Sequence, residues 1–189
     1  MDINPHVEFL RESLRNLRTT GSVARSSARL CKALLEHIDP SRAKIVVELG
    51  AGDGVITEHL LALLPPDARL LVFEINPVFI EKLRRNFQDP RILLLHDSAE
   101  NMGRHFDLES IDAVDYIVSG IPFAVLPEAL AGQIIDECCN WLRPGGWFVQ
   151  FHYAPHLFNF YKQRFGNAHI KFVPWNIPPA FVITAEKLP

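Results

Sequence analysis

The spacing of apolar residues changes several times along the chain, and it predicts which segments are helices and which are strands. Apolar residues three or four positions apart indicate helices, whereas short unbroken runs of branched apolar residues indicate buried strands. The first pattern predicts helices over residues 5–19, 24–38, 55–64, 77–88 and 126–142. The second predicts strands over residues 45–49, 70–74, 92–95, 113–118, 147–153, 169–175 and 180–187.

Strands and helices alternate through the middle of the chain, and this alternation predicts an α/β fold. Strands joined by helices run parallel, because a right-handed crossover returns the chain to the same end of the sheet. We therefore predict a mostly parallel sheet with helices on both faces and a hairpin of the last two strands. No repeat or linker interrupts the pattern, so we predict one domain over residues 41–189, preceded by a helical extension over residues 1–40.

Composition excludes several classes of protein. The chain has 189 residues, of which 48% are hydrophobic and 22% charged, which argues against a disordered chain. Three cysteines do not make a disulfide framework or a spaced zinc site, which favours a reducing compartment. We find neither a signal peptide nor an apolar stretch near the roughly 18 residues of a membrane-spanning helix. We therefore expect a cytoplasmic protein without a metal site.

Charge is distributed unevenly along the chain. The formal net charge is −3, which argues against a general nucleic-acid surface. Residues 1–32 hold six basic and three acidic side chains, a net charge of +3, so the rest of the chain carries −6. In the predicted first helix the apolar side chains form one stripe beside basic residues, and they are Val7, Leu10, Leu14 and Leu17. This helix is either a lid over the functional site or a peripheral contact with an anionic membrane.

A glycine-rich segment follows the first predicted strand. Gly50, Gly52 and Gly54 stand at alternate positions, two residues after the acidic Glu48. Glycines at such a turn let the backbone approach a ligand closely. Glu74 ends the next strand, twenty residues after the third glycine. A carboxylate at that position can accept hydrogen bonds from both hydroxyls of a ribose.

This segment resembles motif I of the class I S-adenosylmethionine-dependent methyltransferases, an acidic residue followed by three alternating glycines. The resemblance covers about residues 43–187 and implies a Rossmann-like sheet of seven mostly parallel strands. It also implies that the cofactor is S-adenosyl-L-methionine, that Glu74 binds its ribose and that Asp97 faces its adenine amino group. The cofactor residues that it implies are Glu48, Gly50, Gly52, Gly54, Glu74, Ile75, Asp97 and Ser98.

The acceptor motif is expected directly after the fourth strand, where the chain reads Ser119-Gly120-Ile121-Pro122. Amino-directed methyltransferases place a motif such as N-L-P-Y here, and its Asn holds the acceptor amine. Gly120 stands at the Asn position and has no side-chain carbonyl, which argues against adenine in RNA. The chain also ends soon after the last strand, without the C-terminal domain of the ribosomal RNA adenine dimethyltransferases.

Three short motifs resemble those of the bacterial phospholipid N-methyltransferases. Residues 119–122 resemble their S-G-[LI]-P, and residues 150–153 (Gln-Phe-His-Tyr) resemble their Q-[FY]-x-Y. Residues 20–27 resemble their T-G-[AS]-V-x-P-S-S, with Arg25 in place of proline. The resemblance implies methylation of a lipid amine such as phosphatidylethanolamine at the inner membrane face. Our candidates for holding the amine are Ser119, Gly120, Ile121, Pro122 and Tyr153.

Other functions remain open from the sequence. A methyltransferase that acts on an ornithine lipid would have the same motifs. An RNA adenine N6-methyltransferase and a non-catalytic nucleotide-binding scaffold are the alternatives from other classes. A lipid amine suits an apolar pocket, because a primary ammonium with a pKa near 10 is only about 0.1% neutral at pH 7. Removing it from water lowers that pKa and frees the nitrogen to attack.

Overall fold

The structure, a computed structural model, describes residues 27–188 and contains six α-helices and seven strands within them. The helices are α1 (Ala28–Leu35), α2 (Val55–Leu63), α3 (Pro77–Asn86), α4 (Met102–Leu108), α5 (Glu128–Trp141) and α6 (Phe158–Phe165). The strands are β1 (Ile45–Leu49), β2 (Arg69–Phe73), β3 (Ile92–Leu95), β4 (Val114–Ser119), β5 (Leu142–His152), β6 (His169–Val173) and β7 (Ala180–Glu186).

All seven strands form one sheet in the order β3-β2-β1-β4-β5-β7-β6. The first five strands pair in parallel, whereas β7 runs antiparallel to both of its neighbours, β5 and β6. The strand order reverses between β1 and β4, which lie side by side at the centre. The predicted seven-stranded, mostly parallel, Rossmann-like sheet is confirmed, including its terminal hairpin.

Helices cover both faces of the sheet, as predicted. Successive side chains of a strand point to opposite faces, so Val46 and Val47 of β1 belong to two different apolar clusters. One cluster contains residues of α4, α5 and α6, and the other contains residues of α1, α2 and α3. The central strands β1, β2 and β4 are therefore buried on both faces, and their functional groups reach a ligand beyond the strand ends.

Helix α1 belongs to the packed body of the described part of the chain. Ser27 caps it by accepting a hydrogen bond from the backbone N–H of Leu30 at 3.2 Å. Leu30, Cys31 and Leu34 are fully buried in the second cluster. The predicted helix over residues 5–19 and most of the motif over residues 20–27 lie outside the described residues, and the domain boundary near residue 40 stays a prediction. No helix between residues 27 and 188 is long and apolar enough to cross a membrane.

Two short helices and the start of β5 differ from the sequence prediction. The pattern did not predict α4 or α6, and it placed the start of the fifth strand at Trp147, whereas β5 begins at Leu142. The extra residues pair with the end of the chain: the N–H of Gly145 donates to the carbonyl of Lys187 at 2.7 Å. A pairing partner distant in sequence therefore extends this strand through a proline–glycine segment that reads locally as a turn.

Candidate active site

The predicted site residues meet at one edge of the sheet. Parallel strands end on the same side, so the residues that follow β1, β2, β3, β4 and β5 lie along the carboxyl edge. Backbone hydrogen bonds tie these ends together: the N–H of Gly50 donates to Phe73 at 2.8 Å, and that of Gly120 donates to Leu49 at 2.8 Å. The site therefore lies where the strand order reverses, the usual ligand position in such sheets.

The glycine loop joins β1 to α2, and its three glycines all have positive φ, at +73°, +57° and +88° for Gly50, Gly52 and Gly54. A Cβ on Gly52 would have no neighbour within 4 Å, so this part of the loop faces open space. A Cβ on Gly54 would lie 2.6 Å from the ring of Phe87 in the segment after α3. Gly54 thus allows α2 to pack closely, and any contact that it makes with a cofactor is through its backbone.

Glu74 fixes the glycine loop from the neighbouring strand. One oxygen of its buried carboxylate accepts a hydrogen bond from the N–H of Gly52 at 2.8 Å, and the other accepts from the N–H of Asn76 at 2.7 Å. A carboxylate offers about four lone-pair sites, so each oxygen can accept a further bond from a ligand hydroxyl. The predicted ribose-binding carboxylate is therefore held next to the loop that it would serve.

Asp97 follows β3 and is held by three donors. Its Oδ1 accepts from the N–H of Ser98 at 2.7 Å and the amide of Asn101 at 2.8 Å, while Oδ2 lies 2.8 Å from Nε2 of His105. Burial acts to raise the pKa of Asp97, but the bonds from His105, Asn101 and Ser98 outweigh it and lower the pKa. The side chain therefore stays an acceptor at neutral pH, as recognition of an amino group requires.

The two other predicted cofactor residues beside these carboxylates are buried. Ile75 follows Glu74, and its carbonyl lies 3.1 Å from Nε2 of His96, which joins the ends of β2 and β3. Ser98 is buried next to Asp97, and its hydroxyl has no hydrogen-bond partner among residues 27–188. Each residue is the chain neighbour of one of the two carboxylates, Ile75 of Glu74 and Ser98 of Asp97, and their contacts with a cofactor stay a prediction.

Glu48, the acidic residue before the glycines, lies beneath the loop and is fully buried. Its Oε2 accepts a hydrogen bond from the hydroxyl of Thr57 in α2 at 2.7 Å, and its Oε1 has no partner in the described part of the chain. Burial raises the pKa of Glu48 to about 8, against the bond from Thr57 and with the help of the nearby Glu74 carboxylate. Glu48 is therefore mainly protonated at neutral pH.

This arrangement fits S-adenosylmethionine. Two fixed carboxylates, Glu74 and Asp97, provide acceptors for ribose hydroxyls and for an amino group. The open space in front of Gly52 leaves room beside the loop, and a sulfonium cation suits a site lined by acidic side chains. The assignment of individual cofactor contacts stays a prediction.

The acceptor loop after β4 contacts the glycine loop directly. A Cβ on Gly120 would lie 2.9 Å from the carbonyl oxygen of Gly50, so no larger residue fits there without a backbone shift. The buried hydroxyl of Ser119 accepts a hydrogen bond from the N–H of Ile121 at 3.2 Å. The carbonyl of Pro122 accepts from Val125 at 3.0 Å, which begins a short turn. The loop is therefore rigidly connected to the cofactor side of the site.

Gln150 is a site residue whose role was not predicted, although it begins the motif at residues 150–153. It is almost fully buried near the end of β5, opposite Ser119 in the pairing register. Its Nε2 donates to the carbonyl of Ile121 at 3.0 Å, a carbonyl that also accepts from the N–H of Phe123 at 2.9 Å. Both lone pairs of the Ile121 carbonyl are thus engaged within the protein. A glutamine inside the apolar run over residues 147–151 is the signal that points to this role.

Tyr153 follows β5 directly and lies at the same edge as the acceptor loop. Its side chain is 37% exposed, and its ring meets that of Phe151 edge-on at 5.8 Å. Burial raises the pKa of Tyr153, so its hydroxyl stays protonated at neutral pH. The preceding His152 is buried, with Nε2 2.8 Å from the hydroxyl of Tyr161. Burial, aided by His156, lowers the pKa of His152 to about 4, which keeps that imidazole neutral.

Known proteins resemble this chain in fold and in sequence. A solved structure, 1,6-didemethyltoxoflavin-N1-methyltransferase from Burkholderia thailandensis with bound S-adenosylhomocysteine, superposes with a TM-score of 0.72 at 16% identity. The superposition covers 100% of this chain and 93% of that one. At this identity the match shows the fold.

Several methyltransferases resemble this chain in sequence. An ornithine lipid N-methyltransferase from Singulisphaera acidiphila is 30% identical over 91% of each chain. A probable protein arginine N-methyltransferase 6.2 from Oryza sativa subsp. indica is 26% identical over 66% of this chain and 31% of its own length. An rRNA methyltransferase from Streptomyces thermotolerans is 29% identical over 76% of this chain and 44% of its own length.

A family model described as a methyltransferase domain matches residues 46–146, which extend from β1 through the acceptor loop into β5. The match therefore includes the glycine loop, both carboxylates and the acceptor motif. Together with the relative that is similar over nearly the whole chain, it shows the family. The chain belongs to the S-adenosylmethionine-dependent methyltransferases.

Proposed function

We propose that this methyltransferase transfers methyl groups to the primary amine of a membrane lipid, either an ethanolamine head group or the amine of an ornithine lipid. The observation that carries the proposal is the contact between Gly120 and the carbonyl of Gly50. A Cβ at residue 120 would lie 2.9 Å from that oxygen, so the asparagine that holds adenine in amino-directed enzymes does not fit. The acceptor loop is therefore suited to a small, flexible amine that needs no planar amide partner.

The sequence relatives support the same choice. The ornithine lipid N-methyltransferase matches over 91% of both chains, so its likeness extends over both the glycine loop and the acceptor loop. In the arginine and rRNA methyltransferases, the matching part makes up only 31% and 44% of the protein's length. Their likeness is that of a shared cofactor domain. A lipid acceptor also leads us to propose a peripheral location at the cytoplasmic face of a membrane.

The protein's part in the reaction is to bind, orient and desolvate. When bound, S-adenosylmethionine supplies an electrophilic methyl group on a sulfonium sulfur. Glu74 and Asp97 hold the ribose and the adenine, which fixes the direction from which the acceptor must approach. Gln150 and Ser119 hold the acceptor loop against the glycine loop through the two ends of Ile121.

The apolar surroundings of the acceptor loop prepare the amine. Ile121 and Phe123 of the acceptor loop are buried, so an amine that enters beside this loop loses much of its hydration. Desolvation disfavours the ammonium form, and the released proton leaves to water before the nitrogen attacks. The ring of Tyr153 can favour a methylated, cationic head group through its face.

Cofactor binding is tested first, without any acceptor. Titration with S-adenosylhomocysteine should raise the melting temperature of the wild type, and Glu74→Ala should lose that shift because both hydroxyl acceptors disappear. Glu81→Ala on the exposed surface of α3 is the matched control and should keep the shift. A wild type that S-adenosylhomocysteine does not stabilise would contradict the cofactor assignment.

The acceptor is tested with labelled cofactor. Liposomes with phosphatidylethanolamine, liposomes with ornithine lipid and ribosomal RNA are offered in parallel. We expect label in one or both lipids and none in RNA. Label in RNA alone would overturn the lipid proposal. Cofactor binding without transfer to any of the three acceptors would indicate a non-catalytic scaffold.

A further inference from the structure

Large apolar side chains are exposed in and beside the turn between β6 and β7. Trp175 is 73% exposed and Ile177 is 85% exposed, and Phe172 of β6 is 52% exposed. We call Trp175 and Ile177 the hairpin tip. A soluble surface has little reason to present a tryptophan and an isoleucine together at the end of a turn. The exposure of these two side chains therefore indicates that another surface covers them.

The hairpin tip lies at the active-site edge of the sheet. Phe181 of β7 pairs with His152 of β5, and Val173 of β6 pairs with Ala180 of β7. Because β7 is antiparallel to β5, the turn that precedes it comes out beside the carboxyl end of β5. Tyr153, a half-exposed candidate for holding the acceptor amine, lies at that same end. A surface that touches the hairpin tip thus borders the entrance to the acceptor loop.

The charge around the hairpin tip favours an anionic surface. No aspartate or glutamate occurs between Glu137 and Glu186 in the sequence, whereas four lysines and arginines do. Three of these four cations are compensated by carboxylates of neighbouring elements: Arg143 by Asp115, Arg164 by Asp136 and Lys171 by Glu36. The guanidinium of Arg29 lies 5.8 Å from the ring centroid of Trp175, which places a cation directly at the tip.

From these observations we infer that the hairpin tip is a membrane-contact surface that inserts Trp175 and Ile177 among the head groups of an anionic bilayer. Tryptophan is favoured at membrane interfaces, and a nearby cation adds attraction to anionic lipid. The inference rests on the proposed function, since a lipid acceptor gives a membrane contact at this edge its use. Pro174, Pro178 and Pro179 lack backbone N–H donors, which disfavours strand pairing with a second copy of the chain.

The test separates membrane contact from catalysis. Vesicles of phosphatidylcholine and phosphatidylglycerol contain no primary amine, so binding to them does not depend on the acceptor site. We expect the double substitution Trp175→Ala and Ile177→Ser to reduce sedimentation with these vesicles by about tenfold or more, because two large apolar side chains no longer enter the interface. Leu108→Ser is the matched control. Leu108 is 71% exposed at the end of α4, shortly before β4 begins, and so lies towards the amino edge of the sheet, away from the hairpin tip.

Affinity for S-adenosylhomocysteine is measured on the same proteins and should be unchanged in both variants. Vesicle binding that survives in the double variant, or falls equally in Leu108→Ser, would overturn the inference. So would a wild type that forms dimers which the double variant loses, because a second copy would then cover the tip. If no lipid amine is methylated while vesicle binding still depends on the tip, the proposed function fails and the membrane contact stands.

Discussion

Gln150 connects the end of β5 to the acceptor loop through one buried amide. It pairs in register with Ser119, and it donates to the carbonyl of Ile121 from the strand on the far side of the acceptor loop. Its Oε1 has no partner within residues 27–188, although it is almost fully buried. A buried polar atom without a partner is costly, so its retention indicates a role at the acceptor site.

Replacing this amide should slow methyl transfer while leaving cofactor binding intact. Gln150→Leu leaves the Ile121 carbonyl with one donor fewer, and losing a hydrogen bond to a buried group costs about 1–3 kcal/mol of stabilisation. We expect kcat to fall by about tenfold or more, with affinity for S-adenosylhomocysteine within about twofold of the wild type. Gln133→Leu on the exposed face of α5 is the control. A merely structural role would instead lower the melting temperature and the cofactor affinity together.

Glu48 makes stability depend on pH in a direction opposite to most carboxylates. Its pKa is raised from 4.5 to about 8 in the folded chain, chiefly by burial. Between these values the unfolded chain loses the proton while the folded chain keeps it. The stabilisation is therefore complete below pH 4.5 and is lost as the pH rises towards 8.

The free energy of unfolding should accordingly fall between pH 5 and pH 8, by at most about 1.4 kcal/mol per pH unit from this group. Glu48→Gln should remove that fall, because an amide does not ionise. Urea unfolding at several pH values measures the difference. Glu58→Gln, an exposed position on α2, should follow the wild type. Parallel pH curves for the wild type and Glu48→Gln would show that Glu48 ionises normally.

At the residue scale, the two site carboxylates were predictable from the sequence, whereas their hydrogen-bond donors were not. Glu74 was predicted as a site carboxylate from its position at the end of the second strand, and Asp97 from the methyltransferase resemblance, and the structure brings both to the carboxyl edge. The donors that hold them were not predictable: His105 lies eight residues beyond Asp97, on a helix that the pattern did not reveal. Burial likewise decides that Glu48 lies beneath the loop, and no spacing along the chain shows it.

At the scale of elements, the site depends on how closely two loops approach each other. The glycine loop follows β1 and the acceptor loop follows β4, and these strands are neighbours only because the strand order reverses there. The position of Gly120 against the carbonyl of Gly50 is where the two loops meet. The spacing between cofactor and acceptor is therefore set by this contact.

Gly120→Ala should disturb both halves of the site. Its Cβ would lie 2.9 Å from the carbonyl oxygen of Gly50, and backbone must move to relieve the clash. We expect affinity for S-adenosylhomocysteine to fall by about tenfold, the effect of about 1.4 kcal/mol of displacement in the glycine loop. Gly166→Ala is the control: φ is +79° with nothing within 4 Å, so it costs backbone strain of about 1–2 kcal/mol without touching the site. Equal cofactor affinities in the two variants would contradict the contact argument.

Elements with a strong local pattern were predicted, and those held by tertiary contacts were not. All seven predicted strands appear: the central ones are unbroken apolar runs, which indicate burial on both faces, whereas the edge strand β6 is exposed over its first four residues. Helix α6 is rich in aromatic residues, which have only moderate helix propensity, and α4 spans only seven residues and contains a glycine. Both helices instead bury a large side chain in the first cluster, Phe106 from α4 and Tyr161 from α6. Packing of this kind comes from residues far away in sequence.

At the scale of the whole molecule, the hairpin tip and the start of the described chain lie together at the carboxyl edge of the sheet. The chain enters the described region at Ser27, whose N–H donates to the side chain of Asn176 at 3.2 Å, between the two residues of the hairpin tip. The basic segment over residues 1–32 therefore joins the domain next to Trp175. Residues 1–26 lie outside the described structure, so their role as a lid or a membrane contact stays a prediction from the sequence.

Charge reversal distinguishes these two roles. With Arg11, Arg15 and Arg18 replaced by Glu, an anchoring segment should lose vesicle binding, since each basic residue near an anionic membrane contributes about 1 kcal/mol. The loss should be largest at low salt, because screening already weakens these attractions at physiological ionic strength. The effect of removing the hairpin tip should instead change little with salt, because apolar burial is not screened. Unchanged vesicle binding with weakened affinity for S-adenosylhomocysteine would identify the segment as a lid and contradict the membrane role.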